Sequence, residues 1–326
     1  MINAMNVIIP VAGEGTRLRP HTHLLPKSLL YVAGKPILGH ILDRFQHIEV
    51  DKFVLVLGAK GETIQKFCKG YPYRFRFTHQ KKRLGLGHAV YTGAAGLKGA
   101  TVVWLGDTII DFDMKVFYRY DCSVLAVREV EDPERFGIVE IKGDEVIDLQ
   151  EKPRAPRSNL AIIGLYYFHR IELVYDAVKY IMKKGIKSKD EYQLTDALKY
   201  LLEKGEKFRI VKIAGWFDCG TAQSLLETNR HLLKKNHHYK KRKNSVIYPP
   251  VYIADSALVK NSIIGPNVSI GENALVEGTI IADSIVNSSA ILKNVRLKES
   301  IIGENALVKG GFKRLNVGDS SVIEFP

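Results

Sequence analysis

Cysteine is scarce in this chain of 326 residues, which contains only Cys68, Cys122 and Cys219. The three are far apart, odd in number and form no CxxC, which argues against a disulfide framework or a zinc site. They are read as inert small apolar residues. Long apolar runs are also missing, and none approaches the roughly 20 residues that a membrane span requires. No basic region precedes the short apolar run near Met1–Asn6, so no secretory signal is expected and the cytoplasm is the expected compartment. Acidic residues are in deficit: 48 Lys and Arg stand against 35 Asp and Glu, a net charge of +13 that suits polyanionic partners. Part of that excess lies in one run, Arg230–Lys243, whose few aromatics do not make a base-stacking platform. It reads as a solvated linker face.

What is present is a globular composition, 46% hydrophobic and 25% charged, which excludes a disordered chain. At roughly 150 residues per domain, the length implies about two domains. From Met5 to about Lys235, short apolar runs alternate with stretches of helical period, the pattern of an α/β domain with a mostly parallel sheet. Strands are expected at Asn6–Val11, Phe53–Leu57, Phe75–Thr78, Thr101–Leu105, Ser123–Val127, Gly137–Ile141, Glu145–Leu149, Ile162–Phe168 and Phe208–Ile213. Helices are expected around Ile64–Cys68, Ala89–Ala95, Leu173–Met182, Gln193–Leu202 and Leu225–Leu233. A further helix is expected after Pro36, in its first turn, with Ile37, Leu38, Ile41, Leu42 and Phe45 on one face.

After Tyr248-Pro249-Pro250 the pattern changes. Aliphatics recur every five or six residues at Ile253, Val259, Ile264, Ile270, Val276, Ile281, Val286, Leu292, Leu297, Ile302 and Val308. The phrase Ile-Gly-Glu-Asn-Ala-Leu-Val appears at both 270–276 and 302–308. Such a repeat signals a solenoid of short strands, the hexapeptide β-helix, with one inward aliphatic per side. The expected organisation is a catalytic domain over 1–235, a basic linker over 236–250, and a β-helix with its tail over 251–326. The repeat makes only three to four coils, so it is expected to dock on the first domain or on another subunit, with Phe312–Pro326 as a cap.

The loop Gly13-Glu-Gly-Thr-Arg17 lacks the third glycine of a dinucleotide fingerprint and the Gly-Lys-Ser/Thr ending of a P-loop. Alone it is a weak signal, with a tight strand-to-helix turn as the alternative reading. Its continuation, Leu18-Arg-Pro-His-Thr-His-Leu-Leu-Pro-Lys-Ser-Leu-Leu-Tyr-Val-Ala-Gly-Lys-Pro-Ile-Leu38, closely resembles the sugar-1-phosphate nucleotidylyltransferase signature, GxGTRLxPxT followed by PKxLxxVxGKPxL. Further matches are Gly215-Trp-Phe-Asp-Cys-Gly-Thr221, Asp190-Glu-Tyr-Gln-Leu-Thr-Asp196 and Asn159–Tyr167. Together the resemblance covers about residues 5–230.

That resemblance implies a Rossmann-like nucleotidyltransferase domain with a mostly parallel mixed sheet, followed by a short left-handed β-helix. It also implies a reaction between a nucleoside triphosphate and a sugar-1-phosphate that releases pyrophosphate. Arg17 and Lys27 are the implied catalytic cations, with Arg19 the alternative to Arg17 at the triphosphate. Ala12, Gly13, Gly15, Thr16, Gln80 and Gly85 are the implied nucleotide contacts. Gln80 would use its amide donor and acceptor on a pyrimidine edge, which uracil and thymine share. Asp107 and Asp218 are implied ligands of Mg2+, a hard cation suited to carboxylate oxygens. At position 108, where the family often carries asparagine, this chain has Thr108. Gly137, Glu151, Lys152 and Gly164 are implied on the sugar-phosphate side, Gly164 leaving room for the pyranose, whereas Thr195 and Asp196 read as a buried capping network.

The favoured member is a glucose-1-phosphate thymidylyltransferase, with a uridylyltransferase close behind and a guanylyltransferase less favoured. A bifunctional acyltransferase is disfavoured because Val251–Pro326 contains no histidine to serve as general base. A non-catalytic regulatory subunit is disfavoured by the intact charged motif residues. No nucleic-acid or membrane partner is expected, and a homo-oligomer is. Histidines 21, 23, 237 and 238 are given no role, since their spacing on loops without a carboxylate partner is weak metal evidence.

Overall fold

The computed structural model describes residues 4–242 and 244–311, so the expected cap at Phe312–Pro326 lies outside the described residues. Two compact units form: one runs to Tyr31 and resumes over Lys35–Thr228, and the other combines Val32–Gly34 with the chain from Asn229 onward.

The strands of the first part of the chain are β1 (Met5–Val11), the two-residue β2 (Tyr31–Val32) and β3 (Lys35–Pro36), β4 (Val50–Leu57), β5 (Phe75–His79), β6 (Thr101–Trp104), β7 (Thr108–Asp111), β8 (Ser123–Glu129), β9 (Gly137–Lys142), β10 (Glu145–Glu151), β11 (Leu160–Phe168), β12 (Phe208–Lys212) and β13 (Gly215–Asp218). The helices are α1 (Ile37–Asp43), α2 (Gly61–Cys68), α3 (Leu86–Ala94), α4 (Ile171–Lys184), α5 (Leu194–Glu203) and α6 (Ala222–Lys235). Nine strands form one sheet in the order β5-β4-β1-β6-β11-β8-β12-β10-β9. Only β10 and β11 run against the others, which makes the sheet mixed but mostly parallel.

The central strands are buried on both faces. Val7, Ile8 and Ile9 of β1 and Phe53–Leu57 of β4 are all fully buried, which explains why they appear in the sequence as continuous apolar runs rather than as alternation. One face packs against α3, α4 and α5, where Val90, Val174, Val178, Ile181 and Leu198 meet Ile8, Val56 and Val103 of the sheet. Pro36 stands at the N-cap of α1 with extended backbone, one position before the first turn expected for it. Phe45, beyond the last residue of α1, is nevertheless fully buried against Phe53 at 5.2 Å between ring centroids and Trp104 at 5.8 Å.

The second unit contains three parallel sheets of four strands each. Val246–Ile247, Ile263–Ile264, Ile280–Ala282 and Arg296–Lys298 form one sheet. Val251–Ile253, Val268–Ile270, Ile285–Val286 and Ile301–Ile302 form the second, and Leu258–Lys260, Leu275–Glu277, Ile291–Lys293 and Leu307–Lys309 the third. These stacks are those of a β-helix, and each of the eleven expected aliphatic stations packs in or against its core. Stacking already begins at Val246, inside the segment expected as linker, because Val246 and Ile247 pair with Ile263 and Ile264. Asn261, Asn267, Asn273, Asn294 and Asn305 take left-handed backbone at φ between 49° and 61°, a conformation asparagine tolerates better than most residues. In the same unit, the fully buried Asn229 accepts from the Ala33 N–H at 2.9 Å and the Ser269 hydroxyl at 2.6 Å, and donates to Asn267 O at 3.1 Å.

Candidate active site

Strand β1 delivers the glycine loop to the carboxyl end of the sheet, the usual ligand position in open α/β folds. A Cβ on Gly13 would meet nothing within 4 Å, so the space beside its backbone is open. Gly15 is needed for a different reason. It takes left-handed backbone at φ 63°, and its carbonyl accepts from the Thr22 hydroxyl at 2.7 Å. A 3-10 turn over Thr16–Leu18 buries Leu18 and leaves Arg17 exposed. A second such turn, Lys27–Leu29, starts with Lys27, whose side chain is only 10% exposed.

Two carboxylates converge on that lysine. Asp107 follows β6, and Asp218 ends β13, which pairs with β7 so that Asp218 lies opposite Thr108. The Cys219 N–H donates to the Asp107 carbonyl at 3.0 Å and ties the two loops together. Lys27 Nζ lies 2.5 Å from Asp107 Oδ2 and 4.0 Å from Asp218 Oδ1. Burial, followed by the neighbouring Asp107 charge, pushes the Asp218 carboxyl above its ordinary range, against the pull of Lys27 and Arg17. A Cβ on Gly220 would lie 2.9 Å from Asp218 Oδ2 and 3.1 Å from Arg17 Nη2, so glycine leaves the space that the carboxylate and the guanidinium occupy. Thr108, standing where asparagine is common in the family, donates from its hydroxyl to Asp107 Oδ1 at 3.3 Å. The neighbouring Cys219 thiol is fully buried and pushed up to about 12, in keeping with an inert residue.

A cavity of about 410 Å3 opens beside this pair and is lined by Gly13, Lys27, Gln80, Arg83, Asp107 and Glu191, among others. Gln80 and Gly85 meet there, the Gln80 Nε2 donating to Gly85 O at 3.1 Å. A Cβ on Gly85 would lie 2.6 Å from Tyr192 O, and its φ of 106° is in the region that favours glycine. Arg19 faces Glu14 at 3.8 Å, and the same carboxylate holds Arg83 at 2.7 Å.

Gly137, Glu151 and Thr195 are also brought together. The Thr195 hydroxyl donates to Glu151 Oε2 at 2.7 Å, and a Cβ on Gly137 would lie 2.7 Å from Thr195 Oγ1. Burial raises the Glu151 carboxyl, opposed first by the Thr195 bond and then by Lys152, whose Nζ is 3.6 Å from Glu151 Oε1. Thr195 and Asp196 therefore do not cap α5 as expected; Asp196 instead accepts from Ser188 Oγ at 3.0 Å. Gly164 has a packing reason to be glycine, since at φ 80° its Cβ would lie 2.6 Å from Leu105 Cδ1.

One expectation about the histidines is corrected: His238 does have a carboxylate partner, Asp255, at 3.2 Å. Even so, no group of three or more His, Cys, Asp and Glu side chains placed to hold a metal occurs among the described residues. Sequence reasoning missed Arg83 and Glu191 as pocket residues. Both left a visible signal: Arg83 stands in the basic run Lys81–Arg83 beside Gln80, and Glu191 lies inside the matched segment Asp190–Asp196.

A glycine loop, a buried lysine and two carboxylates thus gather at the carboxyl edge of a mixed sheet. The chain belongs to the nucleotidyl transferase family, whose model matches residues 6–235. It is 37% identical over 259 residues to the bifunctional protein GlmU of Methanocaldococcus jannaschii, an alignment covering 78% of this chain and 61% of that protein. The chain thus spans less than two thirds of that relative. It is 31% identical over 242 residues to the glucose-1-phosphate thymidylyltransferase of Streptomyces antibioticus, covering 71% of this chain and 67% of that one. A UDP-glucose pyrophosphorylase complexed with UDP-glucose shares the fold, with a TM-score of 0.62 at 24% identity over 72% of this chain and 100% of that one. A putative glucose-1-phosphate thymidylyltransferase from Bacillus anthracis, in complex with a sucrose, has a TM-score of 0.62 at 25% identity over 73% of this chain and 98% of that one. No helix among the described residues is long and apolar enough to cross a membrane.

Proposed function

We propose that the protein transfers a nucleotidyl group from a pyrimidine nucleoside triphosphate to a sugar-1-phosphate, with dTTP and glucose-1-phosphate as the favoured pair. The observation that carries this reading is Lys27 held between Asp107 and Asp218 at the wall of a cavity that also contains Gln80. In the reaction a sugar-phosphate oxygen forms a bond to the α-phosphorus, the bond from that phosphorus to the bridging oxygen breaks, and pyrophosphate leaves with the electron pair. Negative charge gathers on the α-phosphoryl oxygens, so preorganised cations supply most of the acceleration. Lys27 serves the α-phosphoryl group and Arg17 the triphosphate, while the backbone of Ala12, Gly13, Gly15 and Thr16 approaches the phosphates. Glu151 accepts from sugar hydroxyls near Gly137, and Lys152 neutralises the sugar phosphate.

Asp107 and Asp218 would hold Mg2+, and their oxygens already converge on one cation, Lys27 Nζ, at 2.5 and 4.0 Å. Two protein carboxylates suit magnesium, which completes its shell with water and substrate phosphate, and when bound it would neutralise charge on the triphosphate.

The second reading is a UTP-dependent uridylyltransferase, suggested by the fold neighbour named UDP-glucose pyrophosphorylase. The test is pyrophosphate release with magnesium across a matrix of triphosphates and sugar-1-phosphates, with the sugar nucleotide identified by mass spectrometry. Release with none of the pairs overturns the proposal, and release with UTP alone selects the second reading.

A further inference from the structure

Gln80 is 8% exposed, and its side-chain amide is already engaged by the protein. Its Nε2 lies 3.1 Å from Gly85 O and 3.0 Å from His88 Nδ1. A backbone carbonyl oxygen can only accept, so the Gln80 atom facing it is the amide nitrogen, and this fixes the orientation of the amide. Gly85 O is itself held at the start of α3, where it also accepts from the Ala89 N–H at 3.2 Å. The second amide hydrogen of Gln80 then faces His88 Nδ1. That nitrogen must accept, which places the imidazole proton on Nε2. Burial holds the His88 pKa below its ordinary value, in keeping with a neutral ring near pH 7. With both hydrogens engaged, the atom of Gln80 left for a ligand is Oε1, an acceptor.

We propose that His88 is a positioning residue for base selection: by taking the second amide hydrogen of Gln80, it commits Oε1 to the base. The pocket then favours a base whose facing edge presents an N–H, as N3–H does in uracil and thymine. This rests on the reading of the cavity as the triphosphate site of a nucleotidyltransferase. It differs from the two-sided use of the Gln80 amide expected from the sequence, since the donor half of that amide is taken.

The test compares UTP, dTTP, ATP and N3-methyl-UTP as substrates of the full chain, its His88→Leu variant and its His88→Asn variant. Asparagine can offer Oδ1 near the place of the imidazole Nδ1. For the unaltered chain, N3-methylation should raise KM at least about fivefold, the contribution of one net hydrogen bond. His88→Leu should raise KM for UTP and dTTP about fivefold, with kcat and the KM for ATP changed less than about twofold, and His88→Asn should restore the pyrimidine KM. A merely structural role would move KM for every triphosphate alike and would not be rescued by asparagine; either result overturns the proposal. Should His88→Leu fail to fold, the unaltered chain still decides, because equal KM for UTP and N3-methyl-UTP overturns it. Calorimetry separates the two levels: no binding of any triphosphate overturns the transferase reading and this one together, whereas binding untouched by His88→Leu overturns this one alone.

Discussion

Replacing Lys27 with methionine keeps the aliphatic stem and removes the cation that lies 2.5 Å from Asp107 and 4.0 Å from Asp218. Two effects of different size follow. In the resting protein the loss is a charge-assisted hydrogen bond, about 1.5–3 kcal/mol at most. Asp107 is 37% exposed, so solvent screening brings the figure toward the lower end of that range. In the transition state, a preorganised donor aimed at developing charge contributes about 2.7–4 kcal/mol, or roughly 100- to 1,000-fold in rate. Lys27→Met should therefore stay folded while its turnover falls by two to three orders of magnitude. The assay is pyrophosphate release at saturating substrates, paired with a thermal melt and a calorimetric magnesium titration in the presence of triphosphate. Magnesium affinity should hold or improve, because the two carboxylates lose a competing cation. Turnover within about threefold of the unaltered chain, in a variant that melts normally, would refute the placement of Lys27 at the reacting phosphoryl group.

Changing Asp107 or Asp218 to asparagine should lower turnover by at least about 100-fold and raise the magnesium concentration needed for half-maximal rate, and chelation should abolish activity in the unaltered chain. Full activity in excess chelator would sink the metal assignment. Thr195→Ala removes a bond that favours the Glu151 carboxylate, so a carboxyl already raised by burial should rise further. The acid limb of kcat/KM for sugar-1-phosphate should then move to higher pH, and an unmoved limb would detach Glu151 from sugar binding. The stability term has a definite sign: a carboxyl raised in the folded state contributes stability below its unfolded pKa and loses it as pH rises through the folded one. Asn229→Ala leaves the Ala33 N–H without its acceptor and should cost about 1–3 kcal/mol in urea denaturation. An unchanged midpoint would leave Asn229 without an anchoring role.

The elements that were legible in the sequence share one physical property: their burial leaves a local, periodic trace. Strands β1 and β4, buried on both faces, appear as unbroken apolar runs, and the β-helix shows its period because only one aliphatic per side points inward. The ribbon of β7 and β13 left no such trace. Each of its strands has four residues, and its register joins Gly215 to Asp111 across a long stretch of chain. Yet this ribbon, with the Cys219–Asp107 backbone bond, places the two carboxylates side by side. The motifs identified the carboxylates, and tertiary pairing made them neighbours.

The same division runs through the site. Glycine positions could be read from pattern, but the reason for each glycine could not: Gly13 opens onto unfilled space, Gly15 needs positive φ, and Gly164 yields to Leu105. Charged residues could be matched to roles, whereas the groups orienting them were invisible because a hydrogen bond depends on side-chain direction as well as spacing. Thr195 looked like part of a capping network and instead holds Glu151. His88, three residues beyond Gly85, had no assigned task, and only its ring nitrogen facing Gln80 singles it out. The contacts that orient Gln80 and Glu151 are thus made by residues that are ordinary in isolation. A variant that keeps the glycine loop, Lys27 and both carboxylates but replaces His88 or Thr195 should still show a change in substrate preference or pH response.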